Sequence, residues 1–176
     1  MIRMKSRLIF FAGITMILLA FESLSYCQTD NKNLKILEPL LNKKWVGELK
    51  SPDGSASFKT SHEFTLIGNG SVVKYTEITP VLNSVSEGYF YWDRDENKVA
   101  LFIINGKGDY RDGFVSIEEG LITVKGIINF PERKFDYKNT FEFTAGGKMI
   151  DRWFQNAFGS WQPGHVLELT VEKPKK

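Results

Sequence analysis

The two histidines of the chain, His62 and His165, offer its clearest potential for chemistry. Each lies in a segment where apolar and polar residues alternate, and such a strand turns every second side chain to the same face. His62 shares its parity with Phe58 and Phe64, and His165 shares its parity with Leu167. We therefore expect both imidazoles on the inward face of a sheet. His165 opens its predicted strand, which would place it at the mouth of any enclosed space.

An inward histidine has more than one role open to it. For His62 the pattern favours a structural role, a neutral imidazole bonded to a neighbouring hydroxyl or carbonyl. For His165 a structural role and contact with a ligand are equally open. Histidine also binds haem iron and other transition metals. Two histidines do not supply the three or four protein ligands of a zinc site, so no metal site is predicted.

Common catalytic motifs are absent from the sequence. There is no Gly-x-Ser-x-Gly nucleophile motif and no phosphate-binding loop of the Walker type. The pairs Gly68/Gly70 and Gly106/Gly108 lie between predicted strands, where they indicate hairpin turns. We assign no catalytic residue from the sequence, and we favour a binding protein over an enzyme.

Aromatic residues supply most of the candidate ligand contacts. Tyr89 to Trp92 is an unbroken aromatic run that places rings on both faces of one strand. Core packing is the favoured explanation, and a stripe lining a cavity or facing a partner is the alternative. The residues that we predict to line a ligand cavity are His62, Tyr89, Tyr91, Phe141, Phe143, Trp153 and His165.

The first 27 residues have the pattern of a signal peptide. A basic start at positions 3–7 precedes the uncharged stretch Leu8 to Phe21, which is shorter than the roughly 20 residues that span a bilayer. We predict cleavage after Cys27 and export to the periplasm or the medium, with no stable membrane insertion afterwards. A retained membrane anchor and a lipoprotein acylated at Cys27 are the alternatives.

Composition narrows the class of protein. The chain has 176 residues, a formal charge of +2 and one cysteine. A net charge this small gives no indication of the basic surface that binds nucleic acid. A single cysteine excludes a disulfide within the chain. Apolar residues at 42% and charged residues at 25% are values of a folded globular domain. The composition does not determine the oligomeric state.

Strand patterns fill the rest of the chain after one short helix at Leu34 to Leu41. The predicted strands are Lys44–Leu49, Ser57–Ile67, Ser71–Ile78, Val85–Trp92, Lys98–Ile104, Tyr110–Ile117, Leu121–Phe130, Tyr137–Thr144, Lys148–Gln155 and His165–Glu172. Their short connections favour antiparallel pairing of successive strands, and closure of so many strands removes the sheet edges.

We therefore predict an all-β fold, a single antiparallel up-and-down barrel of about ten strands with a short N-terminal helix. A two-sheet sandwich is the alternative. The predicted organisation is a signal peptide over 1–27, a flexible N-terminus over 28–35, the barrel over 36–173 and a tail over 174–176. A barrel of this strand number can enclose one small ligand.

The segment after the helix resembles the entry to calycin-type barrels, which include lipocalins, fatty-acid-binding proteins and nitrobindins. Trp45 and Gly47 match the family pattern, and Lys43 stands where its first glycine belongs. The segments 87–89 and 92–93 resemble the middle of nitrobindins. His165 corresponds there to the histidine that ligates haem. Lipocalin-like bacterial domains of unknown function share the tryptophan entry without a haem ligand, and we favour that group.

The resemblance implies a barrel that holds a small apolar or amphipathic ligand in its cavity, with no cofactor. The signal-peptide pattern adds the expectation that this barrel is exported. One alternative is a b-type haem-binding barrel with His165 as axial ligand. Another is a protein-interaction module with a filled barrel, in which the aromatic loop from Phe158 to Trp161 contacts a partner protein.

Overall fold

A computed structural model describes residues 31–50, 55–157 and 159–173. The predicted signal peptide with Cys27, the first residues of the predicted flexible N-terminus, position 158 of the aromatic loop and the 174–176 tail lie outside these ranges. Within the described residues, no helix has both the length and the apolar character needed to cross a membrane.

Ten antiparallel strands form one closed barrel. The strands are β1 (Lys43–Lys50), β2 (Ser57–Ile67), β3 (Val72–Thr79), β4 (Ser84–Asp93), β5 (Lys98–Asn105), β6 (Tyr110–Glu118), β7 (Leu121–Phe130), β8 (Arg133–Phe143), β9 (Lys148–Ala157) and β10 (Ser160–Val171). Each strand pairs with its neighbours in sequence, and β1 closes the barrel on β10 through Val46 opposite Thr170. The predicted up-and-down barrel is therefore confirmed.

The largest differences from the predicted strands lie at β8 and at the β9–β10 hairpin. β8 begins at Arg133, four positions before the predicted start. Trp161 and Pro163, predicted in a long loop, belong to β10, where Pro163 lies opposite Phe154. The register becomes irregular between Pro163 and Val166, because proline cannot donate a ladder hydrogen bond.

The N-terminal helix is a 3₁₀ helix from Lys32 to Leu40 that covers one end of the barrel. Its first residue falls within the segment that we expected to be flexible. Leu34, Leu37 and Leu40 are fully buried against the barrel core. Trp45, next in the chain, donates its indole N–H to the Leu40 carbonyl at 3.3 Å. The helix thus leaves the opposite end of the barrel as its mouth.

The core continues from this helix through a cluster of inward rings. The Phe64 ring centroid lies 5.0 Å from that of Tyr75 and 6.0 Å from that of Phe90. Alternation along each strand places these side chains inside and their chain neighbours outside. The polar residues on the same inward face lie beyond this cluster, towards the mouth.

Candidate functional site

A small cavity of about 20 Å³ lies inside the barrel between the ring cluster and the mouth. Its apolar lining is Phe90, Leu101, Ile103, Val124 and Phe141, and its polar lining is His62, Tyr75, Glu77, Arg111, Tyr137, Asn139 and Asp151. A volume of this size holds about one water-sized group. The cavity is therefore narrow, and one side of it is unusually polar for a barrel interior.

The polar lining comes from five strands whose alternation places these residues inside. His62 on β2 lies directly opposite Glu77 on β3, two positions along the strand from Tyr75. Arg111 comes from β6, Tyr137 and Asn139 from β8, and Asp151 from β9. Closure of the barrel brings these strands together around one space.

His62 is held through one ring nitrogen. Its Nδ1 lies 3.2 Å from Tyr75 Oη and 3.6 Å from Asp151 Oδ2. The Tyr75 hydroxyl donates its proton to Glu77 Oε2 at 3.1 Å, so the Tyr75 oxygen can only accept from His62. Because Nδ1 faces acceptors, it carries the proton. In the neutral imidazole, Nε2 then bears the lone pair.

The carboxylates of the cluster have opposite pKa shifts. Burial raises the pKa of Asp151 above its usual value, although His62 and the amide of Asn139, which donates to Asp151 Oδ1 at 2.6 Å, act against this effect. Burial also acts to raise the pKa of Glu77, but the attraction of His62 and Arg111 outweighs burial and leaves that pKa lowered. Glu77 is therefore the firmly ionised carboxylate of the pair.

Arg111 is the fixed cation of the site. Its Nη2 lies 3.3 Å from Glu77 Oε2, and its guanidinium lies 6.0 Å from the centroid of the Tyr75 ring. Burial acts to lower the pKa of Arg111, but the tyrosine and carboxylate neighbours outweigh burial and raise it. An inward arginine needs such a partner, because an unpaired buried charge costs several kcal/mol.

Two buried polar atoms of the lining have no hydrogen-bond partner among the described residues. They are His62 Nε2 and Tyr137 Oη. Burial raises the pKa of Tyr137 to about 12, so its hydroxyl keeps its proton at neutral pH. An unpaired buried polar group costs about 1–3 kcal/mol. The two groups therefore mark the part of the cavity where an additional polar group would be stabilised.

A second pocket of about 140 Å³ lies at the mouth of the barrel. Its own lining residues are Ser86, Asn105, Asp109, Tyr110 and Ile128. It shares Glu77, Ile103 and Arg111 with the inner cavity. The Arg111–Glu77 ion pair therefore borders both spaces.

His165 lies at the mouth end, beside the register irregularity of β10. Its ring stacks on Trp153 with centroids 5.9 Å apart and planes 11° from parallel. Burial lowers the pKa of His165, against an opposing attraction from Glu77. Bulges of this kind often redirect a side chain near a site. His165 and Trp153 are part of the inner wall, but neither lines the two pockets described above.

The structure distributes the predicted ligand-contacting residues over three places. His62 and Phe141 line the inner cavity. Tyr89 and Tyr91 are 46% and 39% exposed and lie on the outer face. They cannot line the cavity from there, because alternation turns Phe90 inward instead. Phe143 is 37% exposed and packs on Trp45 at the helix end, with ring centroids 5.9 Å apart.

Most of the polar lining was missed by sequence reasoning. Tyr75, Glu77, Arg111 and Asp151 are not among the candidate site residues predicted from the sequence, and Tyr137 is named there only as the start of a predicted strand. The signal was available: Asp151 has the parity of the inward Met149, and a charged residue with inward parity predicts a buried pair. The partner of each charge was not visible in the sequence, because it comes from a distant strand.

Neither of the two pockets described above offers haem a site on His165. These pockets measure about 20 and 140 Å³, whereas sites for drug-sized ligands measure roughly 300–1,000 Å³, and His165 lines neither of them. One face of the His165 ring is already stacked on Trp153. We therefore route no chemistry through haem. In the part of the chain described by the structure, no group of three or more His, Cys, Asp or Glu is arranged to hold a metal ion.

Comparison with known proteins adds evidence on the fold. No family model matches the chain, and no curated protein matches it. Among solved structures, the crystal structure of Rv2717c from M. tuberculosis is similar, with a TM-score of 0.52 and 17% sequence identity. The similarity covers 81% of this chain and 98% of that chain. At this level of identity, the chain is similar to that protein in its fold alone.

Proposed function

We propose that the protein is a binding barrel for a small amphipathic molecule. The ligand places its polar end in the inner cavity and its apolar part along Ile103 and Ile128, on the apolar side of the mouth pocket. The observation that carries this proposal is the pair of unpartnered buried atoms, His62 Nε2 and Tyr137 Oη, beside one cavity. A bound polar group would remove the cost of both.

The shape of the two pockets supports an amphipathic ligand over a wholly apolar one. The inner cavity has the polar lining described above, and it admits only about one water-sized group. The larger mouth pocket is lined mainly by polar side chains, and Ile103 and Ile128 form its apolar side. The narrow inner space also favours binding over catalysis, because it cannot hold a ligand group and a second reactant together.

The proposal includes export and a calycin-like origin of the barrel. The basic and apolar pattern of residues 1–27 supports export to the periplasm or the medium. The calycin-like assignment is supported by the entry at Trp45 and Gly47 and by the short helix over one barrel end. Sequencing the N-terminus of the purified protein tests export, with Gln28 as the expected first residue.

Native mass spectrometry of the protein purified from its own host tests the binding function. We expect a small-molecule adduct that organic extraction removes. The adduct should be depleted in Tyr137→Phe, which loses only the cavity hydroxyl. It should persist in Tyr89→Phe, which loses the same group on the outer face. Unmodified mass in every preparation would contradict the proposal.

The outer face supports a second candidate function, a protein-interaction module. Tyr89 lies opposite Phe102, whose ring centroid is 5.5 Å from that of Tyr110. Phe102 is 40% exposed, and Ile104 beside it is 44% exposed. Such an apolar cluster on a barrel surface is typical of contact sites. This function predicts that Phe102→Ser abolishes binding of a partner protein. It also predicts that the purified barrel contains no ligand. The binding function predicts that Phe102→Ser keeps its adduct.

A further inference from the structure

We infer that the polar end of the ligand is a neutral hydroxyl group, held between His62 Nε2 and Tyr137 Oη, as in an unbranched primary alcohol. This inference rests on the proposed binding function and names the chemical class of its ligand. Three independent observations support it: the hydrogen-bonding capacity of the two atoms, the charges around them and the size of the inner cavity.

The hydrogen-bonding capacity of the two atoms matches a hydroxyl. With the proton of His62 on Nδ1, Nε2 accepts, and the Tyr137 hydroxyl has a proton to donate. A hydroxyl group has one donor and two acceptor lone pairs, so it donates to Nε2 while accepting from Tyr137. An ether has no proton for Nε2. An ionised carboxylate has none either.

The surrounding charges disfavour an anionic head group. Glu77 and Asp151 line the cavity, and Arg111 already forms an ion pair with Glu77. A carboxylate bound here would add a negative charge without a free cation to balance it, at a large desolvation cost. An ammonium group would bring a second cation next to Arg111. Glu77 is already paired with Arg111, and the Asp151 oxygens face His62 and Asn139, so neither carboxylate is free to balance the buried ammonium.

The size of the inner cavity limits the branching of the ligand. A space of about 20 Å³ admits a single hydroxyl at the end of a chain, but not the two oxygens of a carboxyl group. The chain behind the hydroxyl then lies along Ile103, which borders both spaces, and extends towards Ile128 at the mouth. An unbranched alkyl chain is the narrowest group that makes this path.

A four-member probe series tests the inference on protein expressed from the full-length chain. The probes are hexan-1-ol, hexanoate, hexylammonium and methyl pentyl ether, which have similar length and different head groups. Titration is followed by the NMR shifts of the His62 and Tyr137 amides. We expect hexan-1-ol to bind most tightly, about 3- to 10-fold more tightly than the ether, which corresponds to one hydrogen bond.

Two variants separate the hydrogen bonds from general effects on the barrel. Tyr137→Phe should weaken the binding of hexan-1-ol about 3- to 10-fold. The matched control Tyr89→Phe should bind all four probes as the wild type does. His62→Asn keeps a donor near the Nδ1 position and removes Nε2, so it should abolish the preference for the alcohol over the ether. Circular dichroism checks that each variant is folded.

Each other outcome overturns the inference in a recognisable way. Tighter binding of hexanoate or hexylammonium, with shifts at His62 and Tyr137, would contradict a hydroxyl head and leave the binding function intact. Equal hexan-1-ol affinity in folded Tyr137→Phe would exclude the Tyr137 contact. If no probe shifts either amide, the inner cavity holds only a water molecule and the inference fails. The native-mass experiment then decides the binding function separately.

Discussion

His62 and Asp151 are the most deeply buried of the close acid–base pairs among the described residues. The side chains are 2% and 3% exposed, and Asn139 holds the second carboxylate oxygen. Removal of Asp151 leaves the Asn139 amide without this acceptor and leaves His62 Nδ1 with Tyr75 alone. An unsatisfied buried polar group costs about 1–3 kcal/mol. The position of Nε2 depends on this arrangement, because Asp151 and Tyr75 together fix the proton on Nδ1.

We predict that Asp151→Ala lowers the free energy of unfolding by about 1–3 kcal/mol. Asp112→Ala removes an exposed carboxylate from the outer face of β6 and should change stability by less than about 0.5 kcal/mol. Urea unfolding followed by tryptophan fluorescence measures both. Equal effects of the two substitutions would show that the His62–Asp151 contact does not stabilise the fold.

His165 predicts the pH dependence of stability near neutrality. Burial lowers its pKa below 6.5, so the unfolded chain takes up a proton at this position before the folded chain does. The contribution of His165 is therefore complete above pH 6.5 and is lost as the pH falls through the folded pKa. The groups that face it, Glu77 and Arg111, keep their charges over this range.

The measurement is the slope of unfolding free energy against pH between pH 7 and about 5. Wild type should lose stability on acidification by at most about 1.4 kcal/mol per pH unit from this one group. His165→Phe keeps an aromatic ring beside Trp153 and should show a shallower slope. An unchanged slope in the variant would contradict the buried state of His165.

At the residue scale, the sequence predicted only part of the site. Residues were identified where the alternation of apolar and polar side chains along a strand shows which ones point inward. His62 and Phe141 were predicted because their strands alternate cleanly. Tyr89 and Tyr91 were wrong as lining residues, because a run of aromatics contains no alternation to show which members point inward. The Arg111–Glu77 pair was missed because its partners are 34 positions apart in the chain.

The 3₁₀ helix is the element that most directly determines which barrel end is open. Its leucines contribute fully buried side chains to the core, and such truncations usually cost 2–5 kcal/mol. We predict that Leu37→Ala lowers the free energy of unfolding by about this amount. Leu82→Ala, at a 49% exposed position, should have little effect. Similar small losses in both variants would mean that the helix does not cap the core.

Gly113 and Gly126 allow β6 and β7 to approach each other more closely than a side chain permits. They face each other across the ladder, and a Cβ on Gly126 would overlap the Asp112 carbonyl. We predict that Gly126→Ala costs about 1–3 kcal/mol through overpacking. Gly146→Ala is the control, since its Cβ would come no nearer than 3.8 Å to Thr144. Equal thermal midpoints of the two variants would contradict the close approach.

At the element scale the sequence was informative about strands and less so about their ends. All ten strands were predicted, since turn residues separate the alternating segments. The start of β8 was missed because Pro131 and the charged residues after it suggested a longer turn. Trp161 and Pro163 were assigned to a loop because proline weakens a strand pattern, although a register irregularity accommodates it.

At the scale of the whole molecule, closure of the barrel was predictable and its inner volume was not. Short connections determine the order of the strands, and the order determines closure. The volume of the cavity depends on how Phe64, Tyr75 and Phe90 pack together, which no periodicity reports. The sequence led to an apolar or amphipathic ligand, and the polar lining of the cavity narrows this expectation to an amphipathic one.

The imidazole ¹⁵N NMR spectrum tests the central claim most directly, because the chain has only two histidines. The comparison is between labelled protein purified from its own host and the same protein after organic extraction. The account predicts that the His62 Nε2 resonance moves on extraction while the His165 resonances change less. A His62 spectrum that is the same before and after removal of a bound small molecule would contradict a ligand site in this cavity.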